Sequence, residues 1–488
     1  MNRFSTRTKL IAGALALVLA GVSHATGTQV GGGATLPSLL YLGSAAANPA
    51  TPQLTDHLPA PAGTGAIDTA SLLGVVDSTF SNTSSYCLTG SGSGKNILGE
   101  VANNSVQNAC PTAAGGLHGF GAPLVGRSDL TQPNFAAADA PLSGTDYSNY
   151  ISGHNSSLPA TKFPVQFPVV AGAVAIAFNL TDNTGAQVTS SEVNFSDLQV
   201  CQIFSGTVTA WNDSRLASAF TLPAGRSIPA NAINVEYRSD GSGTSFSMSN
   251  HLSAVCAAAG LSGGPFEASQ NFVGAAGTST ASGAVTSNFF TTAPTGWTGS
   301  SGNPAVAAAI ANTANSVGYV ELANAEATNP GLQFADVNGK SPTTNFSVTA
   351  ITGTASANNQ VINPLNASNG TAQLEAITTN PPPSSPVCIV IVRPDHYAKP
   401  AVLGGIVPSG AYPIVAVSYF LGNDAGNGAD QTATQDLVTA PYNSTITSSV
   451  DPLLPNGMHI KQLGLQFITL PTTGAPFTSA QVSSCYGS

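Results

Sequence analysis

The amino-acid sequence predicts an α/β protein in which apolar strands alternate with helices. Residues 165–179 and 233–237 contain the apolar runs that are typical of strands. Residues 246–256 carry apolar side chains at helical spacing, and another helix is expected to begin at Ser196, a favourable N-cap residue. Because strand and helix units recur through residues 233–322, we expect a sheet that is covered by helices.

The N-terminus has the composition of a secretory signal peptide over residues 1–25. Basic residues precede an apolar core at residues 10–22, and a small-residue cleavage pattern follows it. That core is shorter than the ~20 residues that a membrane-spanning helix needs, and no later apolar run reaches this length. We therefore expect an exported protein, periplasmic or secreted, that does not span a membrane.

Charged residues make up only 7% of the chain, and the formal net charge is −10. Nucleic-acid binding needs a basic face, so this composition argues against a nucleic-acid partner. It does not exclude a small anion as ligand, because surface charge is screened over roughly 8–10 Å and a buried site acts through nearby dipoles.

Six cysteines in an exported chain predict disulfide bonds. Six cysteines allow 15 pairings. The simplest arrangement contains three bridges: Cys87–Cys110, Cys201–Cys256 and, by elimination, Cys388–Cys485. A metal site is the rival interpretation, but the chain has no C-x-x-C or H-x-x-x-H spacing. We expect neither a metal nor a cofactor.

The most informative stretch is residues 238–244, a glycine- and serine-rich turn between a predicted strand and a predicted helix. The first N–H groups of a helix lack partners within it, and the helix dipole favours negative charge there. Ser242 and Thr244 add hydroxyl donors, and Arg238 adds a guanidinium that can bind an oxyanion through two N–H groups. Asp240 can hold that guanidinium in position. The stretch therefore predicts a site for a small tetrahedral oxyanion.

Three further polar segments lie along the chain. Residues 31–37 read Gly-Gly-Gly-Ala-Thr-Leu-Pro, and residues 135–143 read Phe-Ala-Ala-Ala-Asp-Ala-Pro-Leu-Ser. Residues 86–94 form a second glycine- and serine-rich turn, after which a helix is expected near Asn96. The adjacent Lys95 is expected to be solvated, with long-range attraction of anions as the alternative. Each segment alone is typical of a turn, so the information lies in their order.

Taken in order, these four segments resemble the type II periplasmic phosphate-binding proteins, the soluble receptors of phosphate ABC importers, and most closely their DING branch. The chain departs from the family by polar insertions at residues 44–71 and 340–386, and by Ala138 where the family has serine. The resemblance implies a two-lobe type II periplasmic-binding-protein fold with a hinge and a central ligand cleft. The implied lobes are residues 26–170 with 411–488, and residues 171–410.

The resemblance also implies a set of phosphate-binding residues: Thr35, Leu36, Ser91, Asp139, Arg238, Ser242, Gly243 and Thr244. Hydroxyl and backbone N–H groups would donate to the anion, and each such bond to a charged group is worth about 1.5–3 kcal/mol. Asp139 is different, because a carboxylate repels an anion unless the ligand has a proton to share. Phosphate has that proton at neutral pH and sulfate does not. We therefore expect Asp139 to select phosphate against sulfate.

The expected function is high-affinity binding of inorganic phosphate for scavenging or uptake. We expect a monomer without enzymatic activity, and a phosphate ABC transporter is a candidate partner. One alternative is a DING-type hydrolase of phosphate esters, although the chain has no Gly-x-Ser-x-Gly elbow and no histidine in triad spacing. The other is a secreted surface or adhesion protein that retains the fold and binds partners through the polar insertions.

Overall fold

The computed structural model describes most of the chain. The described residues are 27–43, 56–57, 67–101, 133–261, 266–274, 277–279, 285–288, 293–327, 332–347, 355–356, 359–363, 372–453, 459, 464–468 and 479–487. The predicted signal peptide, Cys110 and most of the first polar insertion lie outside the described residues.

The strands follow one another along the whole described chain. In chain order they are β1 (Thr28–Gly32), β2 (Asp56–His57), β3 (Thr83–Cys87), β4 (Phe135–Ala138), β5 (Pro164–Asn179), β6 (Asn194–Phe195), β7 (Asn234–Arg238), β8 (Gly277–Ser279), β9 (Val285–Asn288), β10 (Trp297–Ser300), β11 (Ser316–Glu321), β12 (Gln333–Phe334), β13 (Asp336–Val337), β14 (Ala355–Ser356), β15 (Gln360–Asn363), β16 (Gln373–Ala376), β17 (Ile391–Val392), β18 (Val415–Asn423) and β19 (Gln466–Phe467).

The α-helices alternate with these strands, as the sequence predicts. They are α1 (Ser38–Leu42), α2 (Leu72–Phe80), α3 (Ser91–Leu98), α4 (Gly144–His154), α5 (Asp197–Phe204), α6 (Gly243–Val255), α7 (Asn303–Asn312), α8 (Leu322–Ala327), α9 (Pro394–Tyr397), α10 (Gln431–Thr439), α11 (Ser444–Ser449) and α12 (Ser479–Ser484). None of the described helices combines the length and the apolar character that crossing a bilayer requires.

A mixed sheet forms the centre of the molecule, with the strand order β10–β7–β11–β5–β18–β4. Its long strand β5 pairs antiparallel with β18 over Pro164–Ala173 and with β11 over Val174–Asn179. The strand predicted at residues 165–179 is therefore confirmed, and both halves of the sheet share it. The predicted boundary between the lobes, at residues 170 and 171, falls within this strand, and the division itself stays a prediction.

Parallel strands end where the predicted site residues begin. β1 pairs parallel with β3, and β7 pairs parallel with both β10 and β11. A parallel bridge between Gly33 and Ala137 connects the end of β1 to β4. Because parallel strands place their carboxyl ends at one edge, the loops after β1, β3 and β4 meet there. Most apolar side chains of these strands belong to one large core, and Val320 of β11 belongs to a second, smaller cluster.

The helix boundaries differ from the sequence prediction at two glycine-rich turns. α3 begins at Ser91, not near Asn96, and α6 begins at Gly243, three residues before the predicted start. Glycine weakens a helix locally, so propensity alone places both starts too late. Tertiary packing overrides this helix propensity, because α3 packs closely against the chain after β1. A Cβ at Gly94 would lie 2.8 Å from Gly33 Cα. α5 begins as predicted, with Ser196 in a capping box.

Two predicted disulfides are confirmed. Cys201–Cys256 connects α5 to the end of α6, and Cys388–Cys485 connects the chain near β17 to the C-terminal helix. Cys87 is also disulfide-bonded, but its predicted partner Cys110 lies outside the described residues, so that pairing stays a prediction.

Two strands of the second polar insertion pair antiparallel. They are β15 (Gln360–Asn363) and β16 (Gln373–Ala376), and the Ile362 N–H donates to the Leu142 carbonyl oxygen at 2.9 Å. The Tyr147 hydroxyl on α4 donates to the Asn380 carbonyl oxygen at 2.6 Å. The described part of the insertion therefore packs against α4 and the residues that precede it.

Candidate anion-binding site

Backbone hydrogen bonds hold the four polar segments together. The Gly90 N–H donates to Gly33 O at 2.8 Å, the Gly92 N–H donates to Gly241 O at 2.6 Å, and the Ala34 N–H donates to Ala137 O at 2.8 Å. The site residues predicted from the sequence lie at this junction, and all of them are buried: Thr35, Leu36, Ser91, Asp139, Arg238, Ser242, Gly243 and Thr244. The structure therefore brings the whole predicted set together in a closed arrangement.

Two surfaces face each other across this junction. We call residues 238–244, which end in the first two residues of α6, the donor wall, because their polar groups are mainly N–H and O–H donors. We call residues 33–36, 90–94 and Asp139 the carboxyl wall. A Cβ at Gly243 would lie 2.4 Å from Asp139 Cβ and 2.6 Å from Ser91 Oγ. The walls can approach this closely only because residue 243 is glycine.

Arg238 is the buried cation of the donor wall, and only 1% of it is exposed. Its Nε and Nη2 donate to the two Asp240 carboxylate oxygens at 2.7 and 2.5 Å, as expected for a residue that holds the guanidinium. Burial opposes the charge, but the Asp240 carboxylate outweighs it and raises the pKa of Arg238. Asp240 therefore occupies the Nε and Nη2 side of the guanidinium, and Nη1 donates to the Thr244 hydroxyl at 3.2 Å.

The N-terminus of α6 supplies further donors. Ser242 is the N-cap residue, and its Oγ accepts the Ser245 N–H at 3.1 Å. The N–H groups of Gly243 and Thr244 have no acceptors inside the helix, because these residues belong to its first turn. Because a hydroxyl that accepts a bond keeps its own hydrogen, Ser242 can also still donate. This helix end can therefore offer several donors to one anion.

Asp139 faces this donor wall from the other side. Ser91 Oγ accepts the Asp139 N–H at 3.0 Å and donates to Asp139 Oδ2 at 3.3 Å. Asp139 Oδ1 is buried and has no hydrogen-bond partner among the described residues. Burial raises the pKa of Asp139 to about 7, against the lowering effect of Ser418, Arg238, Ser91 and the Leu36 backbone. A carboxyl group that can be either protonated or ionised near neutral pH therefore lies at the site.

Two predicted residues make contacts that differ from their expected ones. The Ser91 hydroxyl donates to Asp139 Oδ2, and the Leu36 backbone lies close enough to Asp139 to lower the pKa of that carboxyl group.

The expectation that Lys95 is solvated is wrong. Lys95 is buried, and its Nζ lies 2.6 Å from Asp146 Oδ2. A buried ammonium group needs a partner of opposite charge, and Asp146 is that partner. The two residues are close in space but distant in the sequence, so the sequence does not indicate the pair.

Sequence reasoning missed Asn303, the first residue of α7. This side chain is fully buried, and it donates to the hydroxyls of Thr35 and Thr244. The triplet Gly302-Asn303-Pro304 indicates only that a helix begins here, because Pro304 is typical of a first helical turn and glycine allows the φ of 80° that Gly302 adopts. It does not indicate the contacts with the two threonines. Within the part of the chain that the structure describes, no group of three or more acidic, histidine or cysteine side chains is placed to hold a metal ion.

The chain matches known proteins over most of its length. The PBP superfamily domain matches residues 81–435. An alkaline phosphatase L of Pseudomonas aeruginosa is 27% identical over 334 residues, which cover 68% of this chain and 66% of the relative, slightly less than two thirds. The phosphate-binding protein PstS of Xylella fastidiosa is 32% identical over 192 residues, which cover 39% of this chain and 41% of the relative.

One solved structure matches nearly the whole chain. The phosphate-binding protein of Stenotrophomonas maltophilia is 25% identical, with a TM-score of 0.53 and coverage of 94% of this chain and 92% of that chain. Together with the superfamily match, this similarity confirms the predicted two-lobe periplasmic-binding-protein class of α/β fold.

Proposed function

This chain belongs to the PBP superfamily, and we propose that it binds inorganic phosphate between the donor wall and the carboxyl wall. One observation carries the proposal. A buried arginine, a free helix N-terminus and several hydroxyls lie opposite a buried carboxyl group whose Oδ1 has no hydrogen-bond partner among the described residues. A tetrahedral oxyanion that also carries a proton satisfies both sets of groups.

The donor wall supports an anionic ligand over a neutral one. Arg238 and Asp240 form a buried pair, so the guanidinium is fixed in place before a ligand arrives. The N–H groups of Gly243 and Thr244 and the hydroxyl of Ser242 need an acceptor with several oxygens. Phosphate offers four oxygens, and each hydrogen bond to a charged group contributes about 1.5–3 kcal/mol.

The carboxyl wall supports a protonated anion over a fully ionised one. An ionised Asp139 accepts a hydrogen bond from a phosphate O–H, and the shared proton replaces charge repulsion with attraction. Sulfate at neutral pH has no proton to share, so its binding would leave two negative groups in contact in a dry site. We therefore propose that Asp139 selects phosphate by rejecting sulfate.

The names of the relatives agree with this ligand. The matching proteins of Xylella fastidiosa and Stenotrophomonas maltophilia are both phosphate-binding proteins. We extend the proposal to the setting that the sequence predicts: a monomer, periplasmic or secreted, that scavenges phosphate without transforming it and delivers it to a phosphate ABC transporter.

Phosphate-ester hydrolysis is the second candidate function. It is favoured by the similarity to an alkaline phosphatase L and by the contact between the Ser91 hydroxyl and Asp139 Oδ2. A nucleophilic serine needs a base within hydrogen-bond reach, commonly 2.6–3.2 Å. The observed 3.3 Å is slightly longer, and Ser91 Oγ also accepts the Asp139 N–H. These contacts support a fixed hydroxyl better than an activated nucleophile.

Titration calorimetry of the mature protein, stripped of bound anion, tests the binding proposal. We expect one-to-one binding of inorganic phosphate and no heat with sulfate at pH 8. An absence of phosphate binding would contradict the proposal and would favour a role for the polar insertions in partner binding. A phosphatase assay with a chromogenic phosphate monoester separates the second candidate, with Ser91→Ala and Arg238→Ala as the variants that should abolish any genuine turnover.

A further inference from the structure

Asn303 is the described side chain that contacts both walls of the site through hydrogen bonds to threonine hydroxyls. Its Nδ2 donates to Thr35 Oγ1 at 3.2 Å and to Thr244 Oγ1 at 3.0 Å, and its backbone N–H donates to Thr35 Oγ1 at 3.0 Å. Thr35 belongs to the carboxyl wall, and Thr244 belongs to the donor wall. One amide group therefore connects two hydroxyls that are far apart in the chain.

The orientation of this amide is fixed by a third contact. The Glu321 N–H donates to Asn303 Oδ1 at 3.1 Å. An amide oxygen accepts hydrogen bonds and an amide nitrogen donates them, so this contact turns the nitrogen toward the two threonines. The strand β11, which ends at Glu321, thus determines which way the Asn303 side chain faces.

The contacts also determine what each threonine hydroxyl can do. A hydroxyl has two acceptor positions and one hydrogen to donate. Thr35 Oγ1 accepts two N–H groups of Asn303, and Thr244 Oγ1 accepts one from Asn303 and one from Arg238. Both hydroxyls have therefore used their acceptor positions, and what they can still offer is a hydrogen. Each is thereby restricted to the donor role that an anion requires.

We propose that Asn303 is a positioning residue for the anion site. It restricts one hydroxyl on each wall to donation, and it stabilises the closed arrangement in which these hydroxyls can reach one ligand. This inference rests on the proposed function, because the ligand is taken to be phosphate. The two threonine contacts exist together only when the walls are close, so Asn303 should slow the release of phosphate more than it speeds capture.

The test is a set of variants whose phosphate affinity and release rate are measured on the full mature protein. We expect Asn303→Ala to bind phosphate about 10- to 100-fold more weakly, with most of the change in the dissociation rate. Asn303→Asp keeps the shape but loses the NH₂ donor and adds a negative charge, so its loss should be at least as large. Asn250→Ala is the matched control, because Asn250 is a buried, hydrogen-bonded asparagine outside the site.

A double-mutant cycle distinguishes positioning from a general structural role. Asn303→Ala removes the side-chain hydrogen bond to Thr244, whereas Thr35 keeps the hydrogen bond from the backbone N–H of residue 303. We therefore expect the effect of Asn303→Ala to fall to about threefold or less in a Thr244→Val background. In a Thr35→Val background it should largely persist.

The outcomes separate this inference from the proposed function. If the unmodified protein does not bind phosphate, the proposed function fails and the inference fails with it. If it binds phosphate and Asn303→Ala binds within twofold of it, only the inference fails. Equal losses in Asn303→Ala and Asn250→Ala, or an unchanged effect in the Thr244→Val background, would also overturn it.

Discussion

The donor wall and the carboxyl wall are built from the same kind of segment, a polar turn after a buried strand, yet they carry opposite chemistry. The donor wall holds a buried arginine and a helix N-terminus, both of which attract any small oxyanion. The carboxyl wall places Asp139 opposite them, with its Oδ1 unpartnered among the described residues. Attraction of an anion and discrimination between anions are therefore separate properties of this site, and each can be altered by itself.

The largest expected effect comes from removing the cation of the donor wall. Arg238→Ala leaves the Asp240 carboxylate without its guanidinium beside the anion site. We expect phosphate affinity to fall by about 100-fold or more, because truncating one partner of a buried charge pair costs about 2–5 kcal/mol. Titration calorimetry measures the loss. The double variant Arg238→Ala/Asp240→Asn should recover part of it, and a failure to recover any would argue against the unpaired carboxylate as a cause.

The distance between the walls gives the next effect. A Cβ at residue 243 would lie 2.4 Å from Asp139 Cβ, so Gly243→Ala must push the walls apart. Overpacking of this kind costs about 1–3 kcal/mol, so we expect roughly 10-fold weaker phosphate binding. Gly410→Ala is the control, because a Cβ there meets no atom within 4 Å. Equal affinities of the two variants would show that close approach of the walls is not required.

The carboxyl wall should also make the stability of the ligand-free protein depend on pH. Burial raises the pKa of Asp139 to about 7, so the folded state binds a proton that the unfolded state releases near pH 4. The free energy of unfolding should therefore fall as pH rises from about 4 to 7, by at most about 1.4 kcal/mol per pH unit from this group. Asp139→Asn should reduce that slope in denaturant titrations. Burial also raises the pKa of Glu321 to about 8, so part of the pH dependence of stability should remain in this variant.

The sequence was sufficient to predict the elements and the site residues that stand next to each other in the chain. The run at 165–179 is one strand, and the Arg238–Asp240 pair forms as expected. The helix starts at Ser91 and Gly243 were placed too late, because the close approach of glycines to other segments is a tertiary effect. The contacts of Asn303 join residues far apart in the chain, and local patterns contain no information on such pairs.

In the proposed site, Asp139 discriminates between anions and the donor wall attracts them. The most direct test is the ratio of phosphate to sulfate affinity, measured by competition calorimetry in the unmodified protein and in Asp139→Asn between pH 5 and pH 8. We expect a high ratio at pH 8 that falls below about pH 7, where a protonated Asp139 can donate to sulfate. In Asp139→Asn the ratio should be low and nearly independent of pH, with a smaller loss of phosphate affinity. An unchanged preference for phosphate over sulfate in the variant would contradict the claim.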